Sequence, residues 1–189
     1  LQAAQGFYGY AYGFIEDDDN QRASALYRRG LEHALRALAV AGVSADVAAL
    51  PQDELEHQLA TLDNSAVPAL FWSASCWAKW IDMNRDEPAR IAEMGKAAAL
   101  MTRVLELDEN YYHGGPHLFF GVYYGAKPPM LGGDFERSAR HFDKARAVTG
   151  GKLLLGDLLR AQYLARQQLD RRQFHERLTA VVNAPSDVF

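Results

Sequence analysis

Apolar residues recur at three- and four-residue intervals along most of this chain and alternate strictly almost nowhere, while Gly and Pro fall between the periodic stretches. The pattern predicts an all-α protein of nine helices without a sheet. The first helix is expected from Gln2 to Ile15, stopped by the acidic turn Glu16-Asp17-Asp18-Asp19-Asn20, whose last residues can cap the next helix. The second, from Gln21 to Ala41, carries one apolar stripe through Ala23, Leu26, Tyr27, Gly30, Ala34, Leu35 and Leu38, and Gly42 ends it. Pro51 opens a short helix on Leu55, Leu59 and Leu62. Pro68 opens a fourth that runs to Met83, at a first turn where the missing N–H does no harm. Asp86 is expected to cap a long fifth helix ending in Leu105-Glu106-Leu107-Asp108. The rest reads as Tyr111 to Ala126, Asp134 to Thr149, Leu153 to Gln168 and Asp170 to Val182.

A repeat underlies these helices. The tetratricopeptide motif, about 34 residues long, sets a small residue, a large one four later and a small one three after that on its second helix, so that neighbouring helices approach closely around a bulky knob. Ala23, Tyr27, Gly30; Ala97, Met101, Val104; and Ser138, Phe142, Ala145 fit, with a weaker echo in Phe174, Leu178, Val181. Gly121 and Tyr124 match the small-then-aromatic pair of a first helix, and Gly121 and Gly125 would let another helix or a ligand come close. The connection from Tyr124 to Ser138 is longer than the standard turn by about five residues, with the surplus in Lys127-Pro128-Pro129-Met130-Leu131-Gly132-Gly133. The expected fold is a tetratricopeptide-like α-α superhelix of about four hairpins plus one extra helix, a single domain over residues 1–189.

Composition narrows the function. Of 189 residues 49% are apolar and 23% charged, which is globular rather than disordered. With 20 Lys and Arg against 24 Asp and Glu, the net charge of −4 and the lack of a basic block argue against nucleic acid as a partner. No stretch of about 18 apolar residues predicts a membrane-spanning helix. The single cysteine, Cys76, lies in Phe71-Trp72-Ser73-Ala74-Ser75-Cys76-Trp77 and reads as a small core residue. A chain starting at Leu1 is expected to have lost an N-terminal segment, most commonly a signal peptide.

Catalytic motifs are sparse. His113 and His117 stand four apart and would share a metal if both lay on one helical face, but Gly114, Gly115 and Pro116 between them make a poor helix interior. In the alternative reading His113 ends a loop and His117 hydrogen-bonds internally. Neither Gly114-Gly115, Gly132-Gly133 nor Gly150-Gly151 has the lysine of a phosphate loop. Gly150-Gly151 reads as a left-handed C-cap, and Asp134 as an N-cap. Counting from Asp17, Arg22 and Arg28 occupy the positions where a calcium loop needs Gly and Glu. No cofactor and no catalysis are expected.

Aromatic residues mark the first helices of the pairs: Phe7, Tyr8, Tyr10, Tyr12 and Phe14; then Phe71, Trp72, Trp77 and Trp80; then Tyr111, Tyr112, Phe119, Phe120, Tyr123 and Tyr124. In a helical solenoid such helices line the concave side, where amphipathic rings build a groove. Packed in a core, the same rings are knobs.

Leu105-Glu106-Leu107-Asp108, the run from Tyr111-Tyr112-His113-Gly114-Gly115-Pro116-His117 to Tyr124, Leu131-Gly132-Gly133-Asp134, and Ala161-Gln162-Tyr163-Leu164-Ala165-Arg166 resemble the T component of TRAP transporters, the TatT family. Tyr27-Arg28-Arg29-Gly30 and Trp77-Ala78-Lys79-Trp80-Ile81 extend the likeness toward the N-terminus. The resemblance implies a non-enzymatic periplasmic lipoprotein that associates with the substrate-binding P subunit, forms a homotrimer, and binds or channels a small hydrophobic or organic-acid solute. It also implies anchoring through a cysteine that this sequence does not contain. Tyr112, His117, Phe120, Tyr124 and Tyr163 are the expected lining. The alternative is a tetratricopeptide adaptor that grips a peptide segment in envelope assembly or secretion. Such adaptors present Asn, Lys and Arg, where these first helices present rings.

Overall fold

The computed structural model describes residues 1–185 and 187, and among these no strand occurs. The chain forms two compact units, Leu1–Asp108 and Glu109–Phe189. The first holds α1 (Gln2–Phe14), α2 (Asn20–Val40), α3 (Gln52–Ala60), α4 (Val67–Met83), α5 (Pro88–Ala92) and α6 (Met94–Leu107). The second holds α7 (Tyr111–Gly125), α8 (Phe135–Val148), α9 (Leu155–Arg160), which continues as one π turn over Ala161–Ala165, and α10 (Arg171–Val182).

In the first unit α2 packs on α1 and α4, and α4 packs on α6. The small–large–small triplets lie at these contacts: Ala23, Tyr27 and Gly30 on α2 and Ala97, Met101 and Val104 on α6 are buried. Gly30 is required by its neighbour, since a Cβ there would lie 2.9 Å from Cys76 Sγ. Burial pushes the Cys76 thiol up to about 12, leaving it an inert packing residue. The acidic turn does more than cap. Asp19 accepts the Arg22 N–H at 2.9 Å, whereas Glu16 accepts the hydroxyl of the wholly buried Tyr27 and pairs with Lys79 at 2.8 Å.

One expected helix of this unit is broken. The long fifth helix divides at Glu93, and Pro88 rather than Asp86 opens its first part. Glu93 accepts the Trp77 Nε1–H at 2.8 Å and an Arg90 N–H at 2.9 Å, and the Arg90 guanidinium lies over the Trp80 ring at 4.5 Å. The break thus holds the carboxylate and the cation against α4.

In the second unit α7 and α8 form an antiparallel hairpin in which residues of α8 pack directly onto glycines of α7. A Cβ on Gly125 would lie 2.6 Å from Ser138 Oγ, one on Gly121 2.8 Å from the Phe142 ring, and one on Gly114 3.3 Å from Ala145 Cα. The third triplet is therefore the counter-surface of three glycines. The connecting loop carries a short turn, Pro129–Leu131, closed by left-handed Gly132, and Asp134 N–H returns to Tyr124 O at 3.0 Å. Asp134 caps α8 by accepting the Arg137 N–H, as its position predicts. Gly150 and Gly151 have positive φ at the end of α8, again as expected. Buried Asp157 then ties three helices together, accepting Arg146 of α8 at 2.6 Å and Arg177 of α10 at 2.7 Å.

Two substitutions test this account. Gly121→Ala drives a methyl into the Phe142 ring and is expected to cost about 1–3 kcal/mol by urea unfolding. Phe142→Leu in the same chain should recover part of that loss; no loss in the single variant would mean that the hairpin is looser than described. Asp157→Ala removes the acceptor of two arginines that remain partly solvated and is expected to cost about 1–2 kcal/mol, read from the same unfolding curves.

Candidate functional site

The expected helix over Tyr111 to Ala126 forms, but with a break near its start. Tyr112, His113 and Gly114 all take left-handed backbone conformations, with φ of 48°, 61° and 75°. Each non-glycine residue held this way costs about 1–2 kcal/mol. Past this turn Pro116 falls in the first turn of the resumed helix, where it forfeits no hydrogen bond. The turn takes His113 and His117 off a common helical face, so their spacing does not converge on a metal. Among the described residues no three His, Cys, Asp or Glu side chains gather to hold one.

What the turn does bring together is Glu109 and His117. Eight residues of straight helix would separate them by about 12 Å along the axis, yet Glu109 Oε2 lies 3.2 Å from His117 Nε2. His117 is 1% exposed. Its other ring nitrogen, Nδ1, lies 2.9 Å from Nδ1 of His141 on α8. The His141 ring is stacked on Tyr124 at 5.9 Å and tilted on Phe120 at 5.3 Å, and Phe120 and Tyr124 stack at 5.9 Å. Three expected residues, His117, Phe120 and Tyr124, thus form one ring cluster around a histidine that sequence reasoning missed.

His141 was legible in principle. Arg137, His141 and Lys144 follow one another at intervals of four and three, a single helical face directly beside the Ser138, Phe142, Ala145 triplet. Arg137 donates to the Tyr124 hydroxyl at 3.3 Å and its guanidinium covers that ring at 5.3 Å, while Lys144 reaches Glu109 at 3.5 Å.

The other expected residues lie elsewhere in the unit. Tyr112 is exposed in the left-handed turn, with its ring against Tyr111 and His113. Tyr163 is half-buried in the π turn, and its carbonyl would meet a Cβ on Gly125 at 2.9 Å. In the first unit Phe71, Trp72 and Trp77 are buried, so these rings of the fourth helix are packing knobs.

Burial keeps the two imidazoles uncharged. It pulls His117 below the ordinary value of 6.5, partly offset by Glu109, and pulls His141 to about 4, with His117, Lys144, Arg137 and Arg140 acting in the same direction. Glu109 is held below the usual carboxylate range by the hydrogen bond from His117 and by Lys144. In the unfolded chain both histidines take up protons near pH 6.5, so between that value and about 4 the unfolded state binds more protons. Stability should fall as pH drops through this window. His141→Phe should flatten the fall in unfolding free energy measured by urea titration from pH 7 to 4.5; an unchanged slope would separate His141 from the effect.

No curated protein matches the chain. The family described as TRAP transporter T-component matches residues 1–189. With that match over its whole length, and with an all-α fold without a helix long and apolar enough to cross a membrane among its described residues, the chain belongs to the TRAP transporter T-component family.

Proposed function

We propose that this T component works in the periplasm as a non-catalytic capture and docking protein. It takes up a small hydrophobic or organic-acid solute on the ring cluster of α7 and α8 and presents itself to the substrate-binding P subunit. Tyr112, His117, Phe120, Tyr124 and Tyr163 are the proposed lining, with His141 added. Lipid anchoring and a homotrimer belong to the same reading.

The observation that carries it is the stack of Phe120, Tyr124 and His141. Tyr124 and His141 are both partly open to solvent. Rings partly open to solvent offer apolar area at little entropic cost, buried Phe120 backs them, and the His141 imidazole supplies polarity. The cluster holds no activated nucleophile among the described residues, since its neutral histidines hydrogen-bond each other rather than a hydroxyl or thiol.

Tyr124→Ala should weaken solute or P-subunit binding by about tenfold, roughly 1.4 kcal/mol, with the far-ultraviolet circular dichroism unchanged. Binding would be measured by titration of the purified chain against the P subunit and its solutes. Wild-type binding combined with a lowered melting temperature would assign Tyr124 to the core and remove the basis of the reading.

A further inference from the structure

Glu109, His117 and His141 make a chain of hydrogen bonds whose proton positions follow from its first member. Glu109 is held ionised and can only accept, so His117 Nε2 carries the hydrogen that bridges their 3.2 Å separation. A neutral His117 then has a bare Nδ1. The 2.9 Å contact between the two Nδ1 atoms needs one hydrogen, and His141 must supply it. His141 is thereby fixed with Nδ1 protonated and Nε2 bare. Among the described residues no group hydrogen-bonds that Nε2.

The three cations that act on His141 are already matched. Arg137 pairs with Asp134 at 3.6 Å, Arg140 with Glu136 at 3.7 Å and Lys144 with Glu109 at 3.5 Å. These, with the Tyr123 and Tyr124 hydroxyls on α7 and Lys127, whose ammonium lies over the Tyr123 ring at 4.4 Å, are the charged and titratable groups around the pair. The cluster therefore offers ring faces and one acceptor nitrogen, with Arg137, Arg140 and Lys144 engaged by carboxylates and Lys127 lying over the Tyr123 ring.

We propose that Glu109 is a positioning residue which, through His117, presents His141 Nε2 as a hydrogen-bond acceptor, so that the solute recognised on the Tyr124 ring, backed by buried Phe120, is a neutral apolar molecule bearing a hydroxyl donor. The solute part rests on the function proposed above and narrows it; the proton arrangement stands independently of it. A site built to accept from a hydroxyl discriminates against an isostere lacking it, because the bare nitrogen is then desolvated without a partner. It also discriminates against a carboxylate, which has no proton to give.

The proton arrangement is tested by long-range ¹H–¹⁵N correlation spectroscopy of the full chain at pH 7, which distinguishes the two imidazole tautomers. His141 should show a protonated Nδ1 and a bare Nε2. Glu109→Ala should mix the tautomers of both histidines, and Glu109→Gln, whose amide oxygen still accepts from His117, should restore the single form. A merely structural role for Glu109 would leave the tautomers unmoved. His141 protonated on Nε2 in the wild-type chain would overturn the proposal.

The solute class is tested with three probes of similar length: hexan-1-ol, methyl pentyl ether and hexanoate, each titrated while the Phe120, Tyr124 and His141 resonances are followed. Hexan-1-ol should bind about tenfold more tightly than either of the others, the fold-change of one satisfied hydrogen bond. Equal affinity for the ether, or a preference for hexanoate at pH 7, would overturn the donor requirement. If no probe shifts these resonances while the tautomer result holds, it is the capture reading that fails, and the solute class with it.

Discussion

The contact of α7 with α8 at glycine is the constraint on which the second unit turns. With Gly114, Gly121 and Gly125 facing Ala145, Phe142 and Ser138, the α8 side chains fill the space that a side chain at 121 or 125 would need, and Ala145 Cα comes within 3.3 Å of a Cβ on Gly114. Close packing of this kind is intolerant of added volume because interiors are filled to crystal-like density. The approach also sets the depth of everything beside it. His141 precedes Phe142 by one position, so a hairpin held tight at Phe142 brings His141 to the edge of α7, within 2.9 Å of His117. With even one methyl between the helices, two nitrogens on opposite helices would not share a hydrogen.

The first unit solves the same packing problem with different chemistry. There the large residue of the triplet on α2 is Tyr27, whose hydroxyl has to be satisfied once its ring is wholly buried. Glu16 accepts it, and Lys79 balances the carboxylate while lying over the Tyr12 and Tyr27 rings at 5.4 and 5.6 Å. On α6 the knob is Met101 and on α8 it is Phe142, neither of which brings a polar atom inside. One geometric rule thus recurs while the polar surroundings change with each repeat, and each unit's distinctive chemistry lies in those surroundings.

That distinction decides what could be read from the chain. The triplets were legible because small and large residues at intervals of four and three report a local periodicity, and α2, α6 and α8 carry them buried as expected. Asp134 and Gly150-Gly151 were legible for the same reason, since caps depend on nearest neighbours. His117 could be singled out as polar on an aromatic helix, but its partner could not, because Glu109 and His141 lie 8 and 24 residues away and are joined to it by tertiary geometry. The break at Glu93 was hidden likewise: its hydrogen bond to Trp77 spans 16 residues, and nothing in the local pattern from Met94 to Leu107 announces it. Gly114-Gly115-Pro116 warned of a broken helix, yet not that the left-handed turn would begin at Tyr112.

Tyr112 and His113 are two of the three non-glycine residues with positive φ among the described residues, and two gains accompany their turn. A regular helix from Tyr111 onward would carry the chain along one axis and leave Glu109 well over a turn beyond His117. It would also set Pro116 in a helical interior, where its ring removes a hydrogen bond. The left-handed reversal begins the helix anew at Gly115-Pro116, lets Gly114 seat against Ala145, and returns the chain so that Glu109 reaches the buried imidazole. Glycine at 114 takes its positive φ without strain; Tyr112 and His113 do not, and both are exposed, with their rings against each other at 5.7 Å. Strain at exposed residues beside a buried, fully partnered polar group is the signature of a backbone held for what it positions rather than for its own stability. In this unit what it positions is the carboxylate that sets the proton on His117.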